Sequence, residues 1–179
     1  MHRHPEDIPV TEYYRLNGIN FTYCWRAGCT SVASLALNAD AKVLPEPPEI
    51  CMLLLKNPIE RFISAYMILP DQKILNDKTG LFEIGLPPIS TYMDGVLDDV
   101  EGVRSPHTWG QIDQHQGVKH LQLFRLEGTT HIADVKLPHL NQTMVPKPVI
   151  SDLPRYPELF DFYAKDIEAW ERAKPLIGV

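Results

Sequence analysis

The segment Ile50-Cys51-Met52-Leu53-Leu54-Leu55 constrains the fold more than any other part of the chain. An unbroken apolar run has no polar face to offer to water. It fits a strand buried on both sides, as in a parallel sheet covered by helices. The preceding Pro45-Glu46-Pro47-Pro48-Glu49 is a loop by composition. Pro58 follows and opens a helix at a position where its missing N–H costs nothing. Ile59, Phe62, Ile63, Tyr66 and Met67 recur at helical spacing, and Pro70 is expected to end that helix.

An earlier segment repeats the arrangement. Ile19 to Trp25 reads as a strand, with Phe21 and Tyr23 as good strand formers. It runs through Arg26-Ala27-Gly28-Cys29-Thr30-Ser31 into a helical stretch carrying Val32, Leu35 and Ala36. Two successive strand–helix units imply a right-handed parallel crossover. The expectation is an α/β fold, three-layer α/β/α with a central parallel sheet. Residues 1–179 read as a single domain, since no repeat, low-complexity tract or linker interrupts them.

The remaining sequence reads less sharply. Asp71 to Pro88 is expected to be an irregular excursion, with turn residues at Asp77, Gly80 and Gly85. Ser90 is positioned to cap a helix in which Tyr92, Met93, Val96, Leu97 and Val100 share one face. His120 to Leu126 alternates as a strand does. Pro157 begins a last helix with Phe160, Tyr163, Ile167 and Trp170 on its apolar side.

Charge and cysteine content narrow the partners. Lys+Arg at 17 against Asp+Glu at 23 gives a formal charge of −6, which disfavours a nucleic-acid polymer. A small anion held by a few placed groups is compatible with that balance. Cys24, Cys29 and Cys51 form no CxxC pair and read as buried or incidental thiols of a reducing compartment. Neither a secretory signal nor a membrane-spanning apolar run of roughly 20 residues is present, so a soluble, cytoplasmic chain is expected. Asn141-Gln142-Thr143, a glycosylation pattern, is then coincidental.

The first turn has the chemistry of an anion cradle. Gly28 lets the backbone approach a ligand, Thr30 and Ser31 lie among the N–H groups of a helix start, and Arg26 adds charge. A helix dipole contributes only about 0.3–1 kcal/mol. A charge-assisted hydrogen bond from Arg26 adds roughly 1.5–3 kcal/mol. The turn lacks the GxxxxGK[ST] pattern of a P-loop kinase, and no GxGxxG dinucleotide fingerprint occurs. The second unit supplies Lys56 at its strand end, with Arg61 and Ser64 as neighbours on one helical face, opposite Ile59, Phe62 and Ile63. It is a second anion site, adjacent in the sheet to the first.

Together these segments resemble the sulfotransferase superfamily that uses 3′-phosphoadenosine-5′-phosphosulfate (PAPS). In that family a PKxGxTS-like turn binds the 5′-phosphosulfate and an R-[DN]-P-x-x-R-x-x-S-x-Y segment binds the 3′-phosphate. Here they read Trp25 to Ser31 and Lys56-Asn57-Pro58-Ile59-Glu60-Arg61-Phe62-Ile63-Ser64-Ala65-Tyr66. Further stretches are similar to the membrane-type and carbohydrate branch. These are Ser105-Pro106-His107-Thr108-Trp109-Gly110-Gln111, Phe124-Arg125-Leu126-Glu127, Leu137 to Thr143, and Tyr163 to Trp170. The resemblance implies a P-loop-like nucleotide-binding fold and cofactor contacts from Arg26, Ala27, Gly28, Cys29, Thr30, Ser31, Lys56, Arg61 and Ser64. It also implies sulfuryl transfer to a hydroxyl or amine acceptor, with a carbohydrate as the class the branch suggests.

Two positions depart from the family pattern: Arg26 stands where a Lys is usual, and Lys56 where an Arg is usual. The changes keep the charge but alter geometry and proton donation, leaving Arg26 as an electrostatic stabiliser. His107 is the first candidate for general base, ahead of Glu60 and Glu127. His107, His115 and His120 match no strong zinc spacing, and Asp94 to Glu101 lacks the pattern of a calcium loop, so no metal is expected. Two other functions stay open. One is a catalytically impaired nucleotide-binding or interaction protein on the same fold; the other, ranked lower, is a P-loop-like kinase.

Overall fold

A computed structural model describes residues 12–24, 26–69, 72–76, 81–100, 107–115, 117–138 and 146–177. The described residues open with a hairpin, β1 (Tyr13–Leu16) and β2 (Ile19–Tyr23), closed by Asn17-Gly18. Both turn residues have positive φ, 49° and 79°, the two-residue geometry that matches strand twist. Then come α1 (Cys29–Asn38), the short β3 (Lys42–Leu44), β4 (Ile50–Leu55) and α2 (Pro58–Tyr66). A separate antiparallel hairpin, β5 (Gln72–Asn76) and β6 (Leu81–Gly85), leads to α3 (Ile89–Leu97). After a 3-10 turn at Ile112–His115 follow β7 (His120–Arg125) and the small hairpin β8 (His131–Ile132) and β9 (Val135–Lys136). The described chain ends with α4 (Tyr156–Phe162), α5 (Ala164–Arg172) and β10 (Lys174–Pro175).

The main sheet has the order β10-β7-β4-β2-β1-β3. Pairs β10–β7, β7–β4 and β4–β2 are parallel, with Met52 opposite Phe21 and Gln122 opposite Met52. β4 is buried as expected over Cys51 to Leu55, whereas Ile50 at its start is exposed. Met52 and Leu54 pack with Phe21, Tyr23 and the Val32, Leu35 and Ala36 face of α1. Leu53 and Leu55 pack on the other side with Ala169 and Trp170 of α5. The protein is therefore mixed α/β, with a mostly parallel central sheet flanked by helices.

Several expectations need correction. The sheet is not wholly parallel, because β1 pairs antiparallel with both β2 and β3 at one edge. The stretch expected to be irregular contains the β5–β6 hairpin, whose ladder satisfies backbone groups that weak local propensity leaves undecided. Asp77 and Gly80, expected at its turn, lie outside the described residues. Ser90 is not the cap of α3; the N-cap is Pro88, whose carbonyl accepts the Tyr92 N–H at 3.1 Å. Tyr92, Met93 and Val96 do share the buried face, whereas Val100 lies past the helix end and is exposed.

The strand expected to run to Trp25 ends at Tyr23, and Trp25 lies outside the described residues, as does Pro70. The strand expected to run to Leu126 ends at Arg125, where Leu126 N–H turns to the Leu55 carbonyl at 2.7 Å. The last helix is two helices broken at Tyr163, with Leu159 buried and Phe160 exposed. Phe160 is thus not on the buried side.

Candidate functional site

Because β2, β4 and β7 run parallel, their carboxyl ends deliver three loops to one end of the sheet. That end is where open α/β sheets bind ligands. Arg26 follows β2, Lys56 follows β4 and Glu127 follows β7.

The first turn folds back on itself, with Ala27 N–H donating to the Cys24 carbonyl at 3.0 Å. Arg26 has φ 64°, a left-handed conformation that costs an L-residue about 1–2 kcal/mol. Gly28, the N-cap of α1, has φ 73°, and a Cβ there would meet Leu126 Cδ1 at 2.8 Å. Only glycine suits this position. No side chain caps α1 and no acidic residue sits in its first turn. Ala27 and Ser31 are buried, Cys29 is half-buried and Thr30 is exposed.

The second turn is built differently. Asn57 caps α2 by accepting the Ile59 and Glu60 N–H groups at 3.0 and 3.1 Å, so this helix start is already satisfied. What α2 offers the site is side chains. Arg26 Nη2 donates to the Ser64 carbonyl at 3.1 Å and approaches Ser64 Oγ at 3.5 Å, joining the two predicted anion segments directly. Arg26 Nε is buried without a hydrogen-bond partner. A charged donor in that state suits an incoming anion.

Arg61 departs from the sequence reading. Expected on a face opposite the apolar residues of α2, it is fully buried, and its Nη1 donates to the Trp109 carbonyl at 2.6 Å. Its charge acts from beneath the site. Burial, then the positive charges of Arg26 and Arg61, hold His107 below the usual histidine range, which places the imidazole in their field and favours its neutral form. Burial also lowers Lys56, followed by the charges of Lys147 and, less strongly, Arg26. Lys147 was not foreseen from sequence. It joins the cluster because the chain returns past α2, where it pairs with Glu60. No local pattern around Lys147 could have shown this.

The lesser candidates for general base are engaged elsewhere. Glu60 holds Lys147, and Glu127 accepts the Asn57 N–H and the Trp170 indole N–H, each at 2.9 Å. Tyr66, Tyr92 and Met93 are core residues, and Met67 packs against the same cluster. His115 is buried against Cys24, with Nε2 and Sγ 3.4 Å apart. Burial drives the Cys24 thiol up to about 12 and the His115 imidazole down to about 4, so the pair is thiol and neutral imidazole. No thiolate nucleophile forms there at neutral pH. His120 is exposed at the start of β7. Among the described residues no group of three or more His, Cys, Asp or Glu side chains could hold a metal ion. Within the described residues, too, no helix is long and apolar enough to cross a membrane.

Ser105 and Pro106 lie outside the described residues, as do His139 to Thr143. Comparison with known proteins finds no matching family model, no matching curated protein and no matching solved structure.

Proposed function

We propose that this chain is a PAPS-dependent sulfotransferase with a P-loop-like nucleotide-binding fold, acting on a hydroxyl or amine acceptor, with a carbohydrate as the favoured class. The observation that carries the proposal is the Arg26–Ser64 link between the loop after β2 and the helix after β4. It brings together the two segments that resemble the family's 5′- and 3′-phosphate sites. Arg26, Lys56 and Lys147 gather positive charge there against the chain's net −6, with Glu60 and Glu127 offsetting part of it.

The donor supplies a sulfuryl group, whose S–O bond to the nucleotide phosphate breaks as the bond to the acceptor oxygen or nitrogen forms. Arg26, the first N–H groups of α1, Thr30 and Ser31 would stabilise the charge that builds on the departing phosphate. Lys56 and Ser64 would hold the 3′-phosphate and convert its binding into orientation. Arg61 contributes through its field and by fixing the Trp109 loop. His107, kept neutral, would take the acceptor proton.

Arginine does not donate a proton as a lysine can, and that favours a second reading: a nucleotide-binding protein of impaired catalysis. The two readings separate in one series of measurements. Thermal shift with 3′-phosphoadenosine-5′-phosphate against ATP and AMP is expected to show the largest stabilisation by the bisphosphate. Absence of that stabilisation overturns both, and a preference for ATP with magnesium favours a kinase. Transfer from labelled donor to a panel of sugars, phenols and amines then distinguishes the enzyme from the binding protein.

A further inference from the structure

The turn at Lys56–Asn57 is gripped by two side chains. Lys56 N–H donates to Gln111 Oε1 at 2.9 Å, and Gln111 Nε2 donates to the Lys56 carbonyl at 2.8 Å. Asn57 N–H donates to Glu127 Oε1. A primary amide carries a donor and an acceptor side by side, so one glutamine satisfies both backbone groups of one residue, as a neighbouring strand would.

Both grips are anchored on the same helix. Asp166 in α5 accepts the N–H of Gln111 itself, and accepts that of Ile112 at 3.2 Å. Trp170 Nε1 donates to the second oxygen of Glu127. Asp166 and Trp170 are four positions apart, hence on one face of α5. Gln111 and Asp166 are buried, at 0% and 3% exposure, where water does not replace a lost hydrogen bond. No residue of α5 has a part in the proposed transfer.

Resting on the sulfotransferase reading, we propose that α5 sets the placement of Lys56 toward the 3′-phosphate, through the Asp166–Gln111 and Trp170–Glu127 pairs. Gln111 and Glu127 are then positioning residues. They touch no ligand, and their effect is specific to the 3′-phosphate end of the site.

The test compares the full chain with its Gln111→Met and Trp170→Phe variants, which remove the hydrogen bonds and leave an apolar side chain in place. Affinity for 3′-phosphoadenosine-5′-phosphate and for AMP is measured by calorimetry, and amide exchange at Lys56 and Asn57 by NMR. Gln111→Met is expected to weaken the bisphosphate about tenfold and AMP less than about twofold, as removal of buried hydrogen bonds predicts. Exchange at Lys56 should accelerate while the first turn of α1 stays unchanged. Trp170→Phe should act in the same direction at Asn57, and decides the matter if Gln111→Met does not fold. Equal losses for the two nucleotides, or unchanged bisphosphate affinity, would overturn the proposal. Wild-type protein that binds both nucleotides equally overturns the sulfotransferase reading instead. In that case the exchange rate at Asn57 in Trp170→Phe decides whether α5 holds the turn: an unchanged rate refutes it, and an accelerated rate supports it.

Discussion

Arg26 and Gly28 show how much of the site depends on single backbone conformations. Both lie in the left-handed region within one short turn, and glycine alone enters it without strain. Gly28→Ala is expected to destabilise the protein by about 1–3 kcal/mol, read as a lower midpoint of chemical denaturation. It should also weaken nucleotide binding, because the Leu126 side chain must move to admit the new methyl group. A variant of unchanged stability would show that the turn relaxes freely.

His107 makes a second prediction at this scale. Its folded-state pKa is lowered by burial and by the two arginines, so the neutral base persists to more acid pH than in a solvated histidine. The kcat/KM for transfer should therefore stay level through neutral pH and fall only as pH drops through the lowered value. Loss beginning above the usual histidine range of about 6.5 would remove His107 as the base. In His107→Ala the acid limb should vanish along with most of the turnover.

Among the elements, α1 and α2 start alike in topology and differ in use. Each follows a buried parallel strand, yet one begins at a bare glycine and the other at a capping asparagine. Asn57→Ala is expected to cost about 1 kcal/mol in stability, within the ordinary 0.5–2 range for a lost cap. By exposing the first N–H groups of α2 it should also alter the affinity for the bisphosphate more than that for AMP. Equal denaturation midpoints for variant and wild type would show that the cap is dispensable. The β1–β2 hairpin illustrates a signal that was present but unread: Asn17-Gly18 between two aromatic-rich segments marks a two-residue turn. The break at Tyr163 carried less of a local mark, because a partner of that residue, the Thr108 carbonyl, lies far away in the chain.

The whole molecule sets an acidic chain against a local gathering of cations, Arg26, Lys56 and Lys147, with Glu60 and Glu127 among them. Bisphosphate affinity should fall about tenfold or more between 0.05 and 0.5 M NaCl, as added salt shortens the range over which the gathered cations attract the phosphates. Titration calorimetry across that range checks it, and a flat response would contradict a site built on Arg26, Lys56 and Lys147. The net charge of −6 excludes little here, since attraction depends on where charges sit.

By itself the sequence determined the parallel strand buried over Cys51–Leu55, the helices that follow β2 and β4, and the position of Arg26 and Lys56 just past strand ends. Those features follow from composition and spacing over a few residues, which act locally. Tertiary structure alone decided that Arg61 turns inward, that Lys147 joins the cations, and that α5 grips the Lys56 turn through Gln111 and Glu127. An arginine on an amphipathic helix is ordinarily solvated. It is buried here because the Trp109 carbonyl meets it, and that carbonyl lies far along the chain. Contacts of that kind come from the folded path, which no local pattern encodes.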